Sequence, residues 1–294
     1  MEFVDAYLRR LGVARQSVAD LAYLRELNFA HLRQIPFENL SNHLGEELRL
    51  DPGALREKVI ERRRGGLCYE LNGLFSILLE QSGYGVSRYG ARVWDGERFG
   101  PPLDHLVLAV KTVDTGLEAR DALTCGNPHP TNSHRTWLVD VGFGAHSVYP
   151  LPWIEQREHH DPGGSFRLQA AAGGDLDLYR DGVLQYRIEP GLRVLEDFEA
   201  MCFYHQHSPH SHFTQAVICS RLTAEESRVT LSGRRLITTT AGQRQEQFIN
   251  DGEHLLALYR ECFRVELERL PDLPESRTRY SRLDRRPAVK RRSV

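Results

Sequence analysis

Apolar residues recur at helical spacing over the first third of the chain and at alternate positions through its middle. Leu21, Leu24, Leu27 and Leu32 follow a Ser17–Asp20 capping box, and Pro36 stops the pattern. Asp51 followed by Pro52 reads as another helix start, with Leu55, Val59 and Ile60 on its apolar side. Gly65-Gly66 breaks the chain. Leu71, Leu74, Phe75, Leu78 and Leu79 then fall at i, i+3, i+4, i+7 and i+8, the stripe of a buried helix that Gly83 ends. From Val86 the period becomes two, which predicts strands over Ser87–Trp94, His105–Val110, Thr136–Val141 and Phe166–Gln169, then a hairpin turning at Asp181-Gly182. Thr112 to Arg135 carry Gly, Pro, Asn, His and Thr without periodicity and read as a long loop. A short helix around Glu196–Tyr204 leads to a second β region, Ala216–Leu222 and Arg228–Thr240, with a turn at Ser232-Gly233. Asp251 then caps a helix bearing Leu255, Leu258, Tyr259, Cys262 and Phe263 on one face.

Length changes this picture by dividing it. At 294 residues the chain exceeds the size at which one core usually splits, so two or three subdomains are expected. A formal net charge of -2 argues against an electrostatic nucleic-acid binder. No apolar run approaches the roughly 18 residues that cross a bilayer. The segment Met1–Arg10 is charged and amphipathic, unlike a signal peptide. Five widely spaced cysteines (Cys68, Cys125, Cys202, Cys219 and Cys262) are an odd number and read as reduced thiols in a cytoplasmic protein. The stretch Arg277–Val294 is rich in arginine and poor in large apolar groups, the composition of an extended terminus.

Cys68 opens the Leu71–Leu79 helix directly after Arg64-Gly65-Gly66-Leu67. A helix N-terminus favours thiolate over thiol, and its free amides suit an oxyanion. The glycines predict a tight turn that lets a substrate carbonyl approach. The plainer reading of any free cysteine is a small buried hydrophobe. A thiol nucleophile needs a base and a group to orient that base. His105 opens one apolar strand and Asp140 closes another, so pairing of the strands brings them together. The order Cys, His, Asp matches papain-like and transglutaminase-like enzymes, although a lone histidine is more often an ordinary strand-edge residue. His205, His207, His210 and His212 follow no standard zinc spacing and lack a cysteine pair, so no metal is expected.

Longer motifs narrow the field. Ile35-Pro36-Phe37-Glu38-Asn39-Leu40 and Arg64-Gly65-Gly66-Leu67-Cys68-Tyr69-Glu70-Leu71-Asn72 resemble the arylamine N-acetyltransferase family. His105-Leu106-Val107-Leu108 and Asp140-Val141-Gly142-Phe143-Gly144 are similar to its other two catalytic segments, and Ser208–Phe213 to its Pro-x-Ser-x-Phe segment. The resemblance implies an α+β fold: an N-terminal helical bundle (1–86), a central antiparallel β-barrel (87–195) and a C-terminal α/β lid (196–276), followed by the basic tail (277–294). Its catalytic core would be cysteine-protease or transglutaminase-like. It further implies acetyl transfer from acetyl-CoA to an arylamine or arylhydrazine, with Cys68 as nucleophile, His105 as base and Asp140 as orienting carboxylate. Gly142, Phe143, Gly144, Ser211 and Phe213 would lie beside coenzyme A; Phe37, Tyr69 and Phe143 would wall the acceptor; Glu38 and Arg64 would form a buried structural ion pair. The Thr112–Arg135 insertion departs from the family pattern and puts the pocket rim, hence the acceptor, in doubt. Rivals are a macrolactam-forming relative, a cysteine amidase or hydrolase, and a non-enzymatic binding module; no nucleic-acid or membrane partner is expected.

Overall fold

The computed structural model describes residues 2–113 and 135–273. Cys125, the basic tail and all of the Thr112–Arg135 loop except its ends lie outside the described residues. The ends themselves belong to strands, since Thr112 and Arg135 face each other as paired residues.

The N-terminal part is helical: α1 (Glu2–Leu11), α2 (Leu21–Gln34), α3 (Leu40–Leu44), α4 (Pro52–Arg56, prolonged by a π turn over Glu57–Glu61) and α5 (Cys68–Gln81). Asp51 caps α4 as its Asp-Pro start predicts, accepting from the Ala54 amide. The α2 cap differs from expectation. Asp20 itself is the cap, accepting from the Tyr23 amide at 2.9 Å, and Ser17 is exposed outside the helix. A carboxylate directly before the first turn reaches the free amide that a serine at position 17 cannot. Helix α5 is covered all round, so its Leu71–Leu79 stripe sits in the middle of the largest core cluster.

Between α2 and α3 runs the two-residue strand β1 (Phe37–Glu38). The middle of the chain forms eight antiparallel strands curled into a barrel-like sheet. They are β2 (Gly85–Val93), β3 (His105–Thr112), β4 (Arg135–Val139), β5 (Leu151–Pro152), β6 (Glu158–Asp161), β7 (Gly164–Ala170), β8 (Leu176–Arg180) and β9 (Val183–Ile188), in the order β5-β4-β3-β2-β9-β8-β7-β6. Asp181 and Gly182 both take positive φ (50° and 77°), as the predicted two-residue hairpin requires. A second cluster, with Ala91, Val107, Leu138, Phe166, Leu178 and Tyr186, fills this sheet.

After a 3-10 turn (Leu195–Phe198) come α6 (Glu199–His207), α7 (His212–Gln215), β10 (Ile218–Ala224), β11 (Ser227–Ser232), β12 (Arg235–Thr240), β13 (Gln243–Phe248) and α8 (Gly252–Phe263). The last sheet has the order β1-β10-β11-β12-β13, so the N-terminal part contributes its edge strand to the C-terminal part. Phe37 pairs with Ser220 and Glu38 with Cys219. The pairing draws the α2–α3 connection against the third cluster, which α8 covers. The described α and β elements thus form a mixed architecture whose three parts meet around the start of α5.

Candidate active site

Cys68 is the first residue of α5, with Leu67 as its extended cap. The Cys68 and Tyr69 amides, in the first turn, have no intrahelical partner. The preceding glycines are explained by crowding. A Cβ on Gly65 would lie 1.9 Å from the Pro36 carbonyl oxygen, and one on Gly66 would lie 2.5 Å from Glu70 Oε2. Neither has positive φ; Arg63 does, at 54°. The turn expected at the glycines is therefore made two residues before them, and the glycines serve close approach of chain to chain. Glu70 locks the same loop: its carboxylate accepts from the Leu67 amide at 2.9 Å and from Lys58 Nζ at 2.7 Å, all buried.

Arg64 is buried against Glu38. Its Nε and Nη2 both lie 3.0 Å from Glu38 Oε1, and its Nη1 donates to Glu46 Oε2 at 3.0 Å. The second Glu38 oxygen accepts from the Leu40 amide. Burial would raise the Glu46 carboxyl, but Arg64, Ser41 and Arg62 hold it down at about 2. This network ties α3 and β1 to the loop that ends in Cys68.

The strand register brings the next two residues together. Leu108 pairs with Val139, so Asp140, one step beyond β4, arrives beside the start of β3 where His105 stands. His105 Nε2 lies 2.7 Å from Asp140 Oδ2, with both side chains buried. Nδ1 is thereby left for Cys68, whose sulfur stands next to the imidazole and acts on it. Burial alone would depress His105; the Asp140 carboxylate, with Cys68 adding to it, outweighs that and raises the imidazole to about 10. Burial pushes Asp140 the other way, and His105 overrides it to hold the carboxyl at about 2.

Two further groups position Asp140. Asn72, one turn along α5 from Cys68, donates to Asp140 Oδ1 at 2.9 Å and to the Leu106 carbonyl at 2.7 Å, while its own oxygen accepts from the Val141 amide at 2.9 Å. Both N–H groups and the oxygen of this fully buried amide are engaged. The Gly142 amide donates to the same Asp140 oxygen at 3.0 Å, and Tyr186, from β9, stands near the carboxylate with its hydroxyl 3.3 Å from His146 Nε2. Burial drives His146 down to about 4 despite the Asp140 charge nearby. Asn72 lies inside the motif around Cys68, but Tyr186 and His146 left no signal in the sequence, because a strand tyrosine and a loop histidine usually only pack.

The remaining predicted residues fall into two groups. Gly142, Phe143 and Gly144 run from Cys68 outward. A Cβ on Gly142 would stand 2.7 Å from Cys68 Cα and 2.8 Å from Asn72 Nδ2, so this glycine is required by contact with the start of α5. Phe143 packs edge-on to His105 with centroids 5.1 Å apart, and Gly144 (φ 85°) borders Phe37, which contacts Phe213 at 5.9 Å. Tyr69 and Ser211 are otherwise engaged. Tyr69 is fully buried, with its ring against Phe198 and its hydroxyl donating to the Leu103 and Asp104 carbonyls. The Ser211 hydroxyl caps α7 by accepting from the Phe213 amide and lies 3.0 Å from His205 Nδ1; His205 Nε2 is in turn 3.1 Å from Asp104. Among the described residues no group of three or more His, Cys, Asp and Glu side chains is arranged to hold a metal ion. No described helix is long and apolar enough to cross a membrane.

A thiol, an imidazole and a carboxylate in line at a helix N-terminus, beside a barrel-like sheet, suit acyl chemistry. The family model described as N-acetyltransferase matches residues 20–117 and 131–271. An arylamine N-acetyltransferase of Mycolicibacterium smegmatis is 32% identical over 254 residues, covering 81% of this chain and 83% of that one. The arylamine N-acetyltransferase / N-hydroxyarylamine O-acetyltransferase of Salmonella typhimurium is 30% identical over 250 residues, 83% of this chain and 82% of that one. The solved Salmonella enzyme superposes with a TM-score of 0.77 at 29% identity, covering 90% of this chain and 92% of that chain. Mycobacterium marinum arylamine N-acetyltransferase, solved in complex with CoA, gives 0.75 at 28% identity, with 89% and 92% covered. The chain belongs to the arylamine N-acetyltransferase family.

Proposed function

We propose that this protein transfers an acetyl group from acetyl-CoA to an arylamine or arylhydrazine through an acetyl-Cys68 intermediate, in the cytoplasm. The observation that carries the reading is the buried line of Cys68, His105 and Asp140 at the start of α5. Before reaction, His105 holds the proton and Cys68 is its thiolate partner. The thiolate attacks the thioester carbonyl, and the oxyanion is met by the free amides of the first turn. As the carbonyl re-forms, the C–S bond to coenzyme A breaks and His105 returns its proton to the departing sulfur. Acylation removes the Cys68 charge, one of the influences holding His105 protonated, so the imidazole becomes able to accept the proton of an attacking amine. Collapse of that second tetrahedral species breaks the Cys68 C–S bond, releases the amide and restores the ion pair.

In this reading Phe143 and Phe37 wall the acceptor, and Gly142–Gly144, Phe213 and the Ser211 turn lie along coenzyme A. The CoA-bound relative supports that donor, and the contact of Gly144 with Phe37 and Phe37 with Phe213 supports one continuous channel wall. The segment 196–276 would then close over a cysteine-protease-like core. The other thiols are poor substitutes for Cys68, because burial pushes Cys202, Cys219 and Cys262 upward.

Intact-protein mass spectrometry tests the scheme. Mixing with acetyl-CoA alone should add one acetyl group, mapped to Cys68, which disappears when an aromatic amine is added. Decay of the adduct at the same rate without amine would make the protein a hydrolase. Absence of any adduct, with intersecting double-reciprocal kinetics, would replace the two-step scheme by direct transfer.

A further inference from the structure

Away from Cys68, five arginines converge where the ends of several helices meet, and none of them has an acidic partner among the described residues. Arg10 ends α1 and donates to the carbonyls of Val59 (3.5 Å) and Arg63 (3.0 Å). Arg221, from β10, donates to the Arg33 carbonyl at the end of α2 and to the Cys262 carbonyl (2.9 Å) at the end of α8. Arg264, just past α8, donates to Gln34 Oε1. The guanidiniums are close enough to act on one another: Arg63, Arg264 and Arg221 each bear on Arg10, and Arg264 and Arg33 on Arg221. Arg10 is 4% exposed and Arg221 8%, whereas Arg63 and Arg264 stand at the surface. So many unpaired cations in one place stand out in a chain whose net charge is -2.

Helix C-termini account for part of the arrangement, since each offers carbonyls and about half a negative charge. Four such ends (α1, α2, the π turn after α4, and α8) neutralise roughly two of the five positive charges, which leaves about three uncompensated. Donors also remain unused. Arg10 Nη1 and Arg33 Nε are buried without a hydrogen-bond partner, and so is the Tyr7 hydroxyl on the neighbouring turn of α1. The two exposed arginines moreover sit in the left-handed backbone region, Arg63 at φ 54° and Arg264 at φ 61°. Glycine would relieve strain at both sites, yet each carries a guanidinium.

We propose that the Arg10, Arg33, Arg63, Arg221 and Arg264 cluster is a binding site for a phosphate-type oxyanion. Guanidinium forks match such an anion bidentately, and a doubly charged oxyanion compensates most of the residual charge while accepting from donors the backbone leaves idle. Because Arg63 is followed by Arg64, the anion would also steady the chain leading to Cys68.

The test is thermal unfolding of the full-length protein with phosphate replacing chloride at constant ionic strength, for wild type and for the Arg63→Gln/Arg264→Gln double variant. Wild type should show a saturable rise in Tm of at least about 3 °C, the size expected when a ligand reaches many times its Kd. The double variant, relieved of two like charges, should be as stable as wild type in chloride and lose the rise. Calorimetric titration with pyrophosphate should give heat with wild type and none with the double variant. AMP as a second probe separates the sources: tighter binding than inorganic phosphate assigns a nucleotide phosphate, and equal or weaker binding assigns the free ion. Equal phosphate increments in both proteins, a rise that never saturates, or no heat with wild type would overturn the site.

Discussion

His105 and His31 are both buried, both packed on aromatic rings, and end at opposite limits of the histidine range. His31 lies 4.9 Å from the Phe75 ring and 6.0 Å from Tyr7; His105 lies 5.1 Å from Phe143 and 5.4 Å from Tyr186. Burial, assisted by the nearby Arg10 charge, drives His31 down to about 3. The same burial acts on His105, yet the touching Asp140 carboxylate and Cys68 raise it to about 10. His146 is the intermediate case: it feels the Asp140 charge without a direct bond to it and stays at about 4. Shielding from water therefore makes a histidine inert by default. One carboxylate in contact, held by Asn72 and the Gly142 amide, converts it into a group that stores a proton.

Asp140→Asn breaks the comparison most directly. The amide keeps the shape but loses the charge that opposes burial, so His105 should titrate on the low side of 6.5, near the behaviour of His146. Acetylation of Cys68 and release to amine should both slow, by about 10³–10⁴-fold, as when a triad carboxylate is neutralised elsewhere. Imidazole NMR from acid to about pH 10, with rapid-quench measurement of each half-reaction, checks this. A His105 resonance still titrating near pH 10 in the variant would show that Asp140 is not the cause.

Glu38→Gln applies the same logic to a charge with no proton to lose. Arg64 cannot neutralise itself as a histidine can, so removing its buried partner leaves a cation whose remaining carboxylate is Glu46. A loss of about 3 kcal/mol in urea unfolding is expected, at the lower end for a broken buried pair because Glu46 stays. A loss below about 1 kcal/mol, the scale of an exposed pair, would mean that the Glu46 contact alone compensates Arg64.

How much of this was legible follows from where each signal resides. The α5 stripe, the Asp51 cap and the Asp181-Gly182 turn depend on local chemistry, and each appears where the pattern places it. Cys68, His105 and Asp140 were readable because their motifs are long and each stands at an element end. Strand β13 was not, since Gln243–Phe248 is polar and exposed on both faces and carries no alternation; β6 (Glu158–Asp161) is short and polar for the same reason. The burial of Tyr69 and the two backbone carbonyls that its hydroxyl finds depend on the segment around Leu103, which its own neighbours in the sequence do not announce. The Tyr186–His146 contact and the Glu46 support of Arg64 exist only once distant segments meet, and no spacing along the chain announces them.

The smallest effect at neutral pH, and the sharpest test of the comparison, belongs to His31→Leu. Both His31 ring nitrogens are buried without a partner, so the variant gives up no hydrogen bond and removes two unsatisfied polar atoms. At pH 7 its stability should stay within about 1 kcal/mol of wild type. The difference should open in acid. A base whose folded value lies below its unfolded one stays neutral in the fold while the unfolded chain takes up a proton. Wild type therefore loses stability from about pH 6.5 down towards 3, by about 1.4 kcal/mol per unit once well below 6.5. The leucine side chain of the variant has no such term, whereas His146 acts in both proteins and cancels. His105 has the reverse sign: its contribution is complete below pH 6.5 and is lost as pH rises through about 10, so it leaves the acid limb unaltered. Urea midpoints taken at steps from about pH 7 down to about 4.5 should show the two curves diverging steadily in favour of the variant. Parallel curves would mean that His31 takes up its proton in the folded state as readily as outside it, and burial would no longer explain why the two histidines differ.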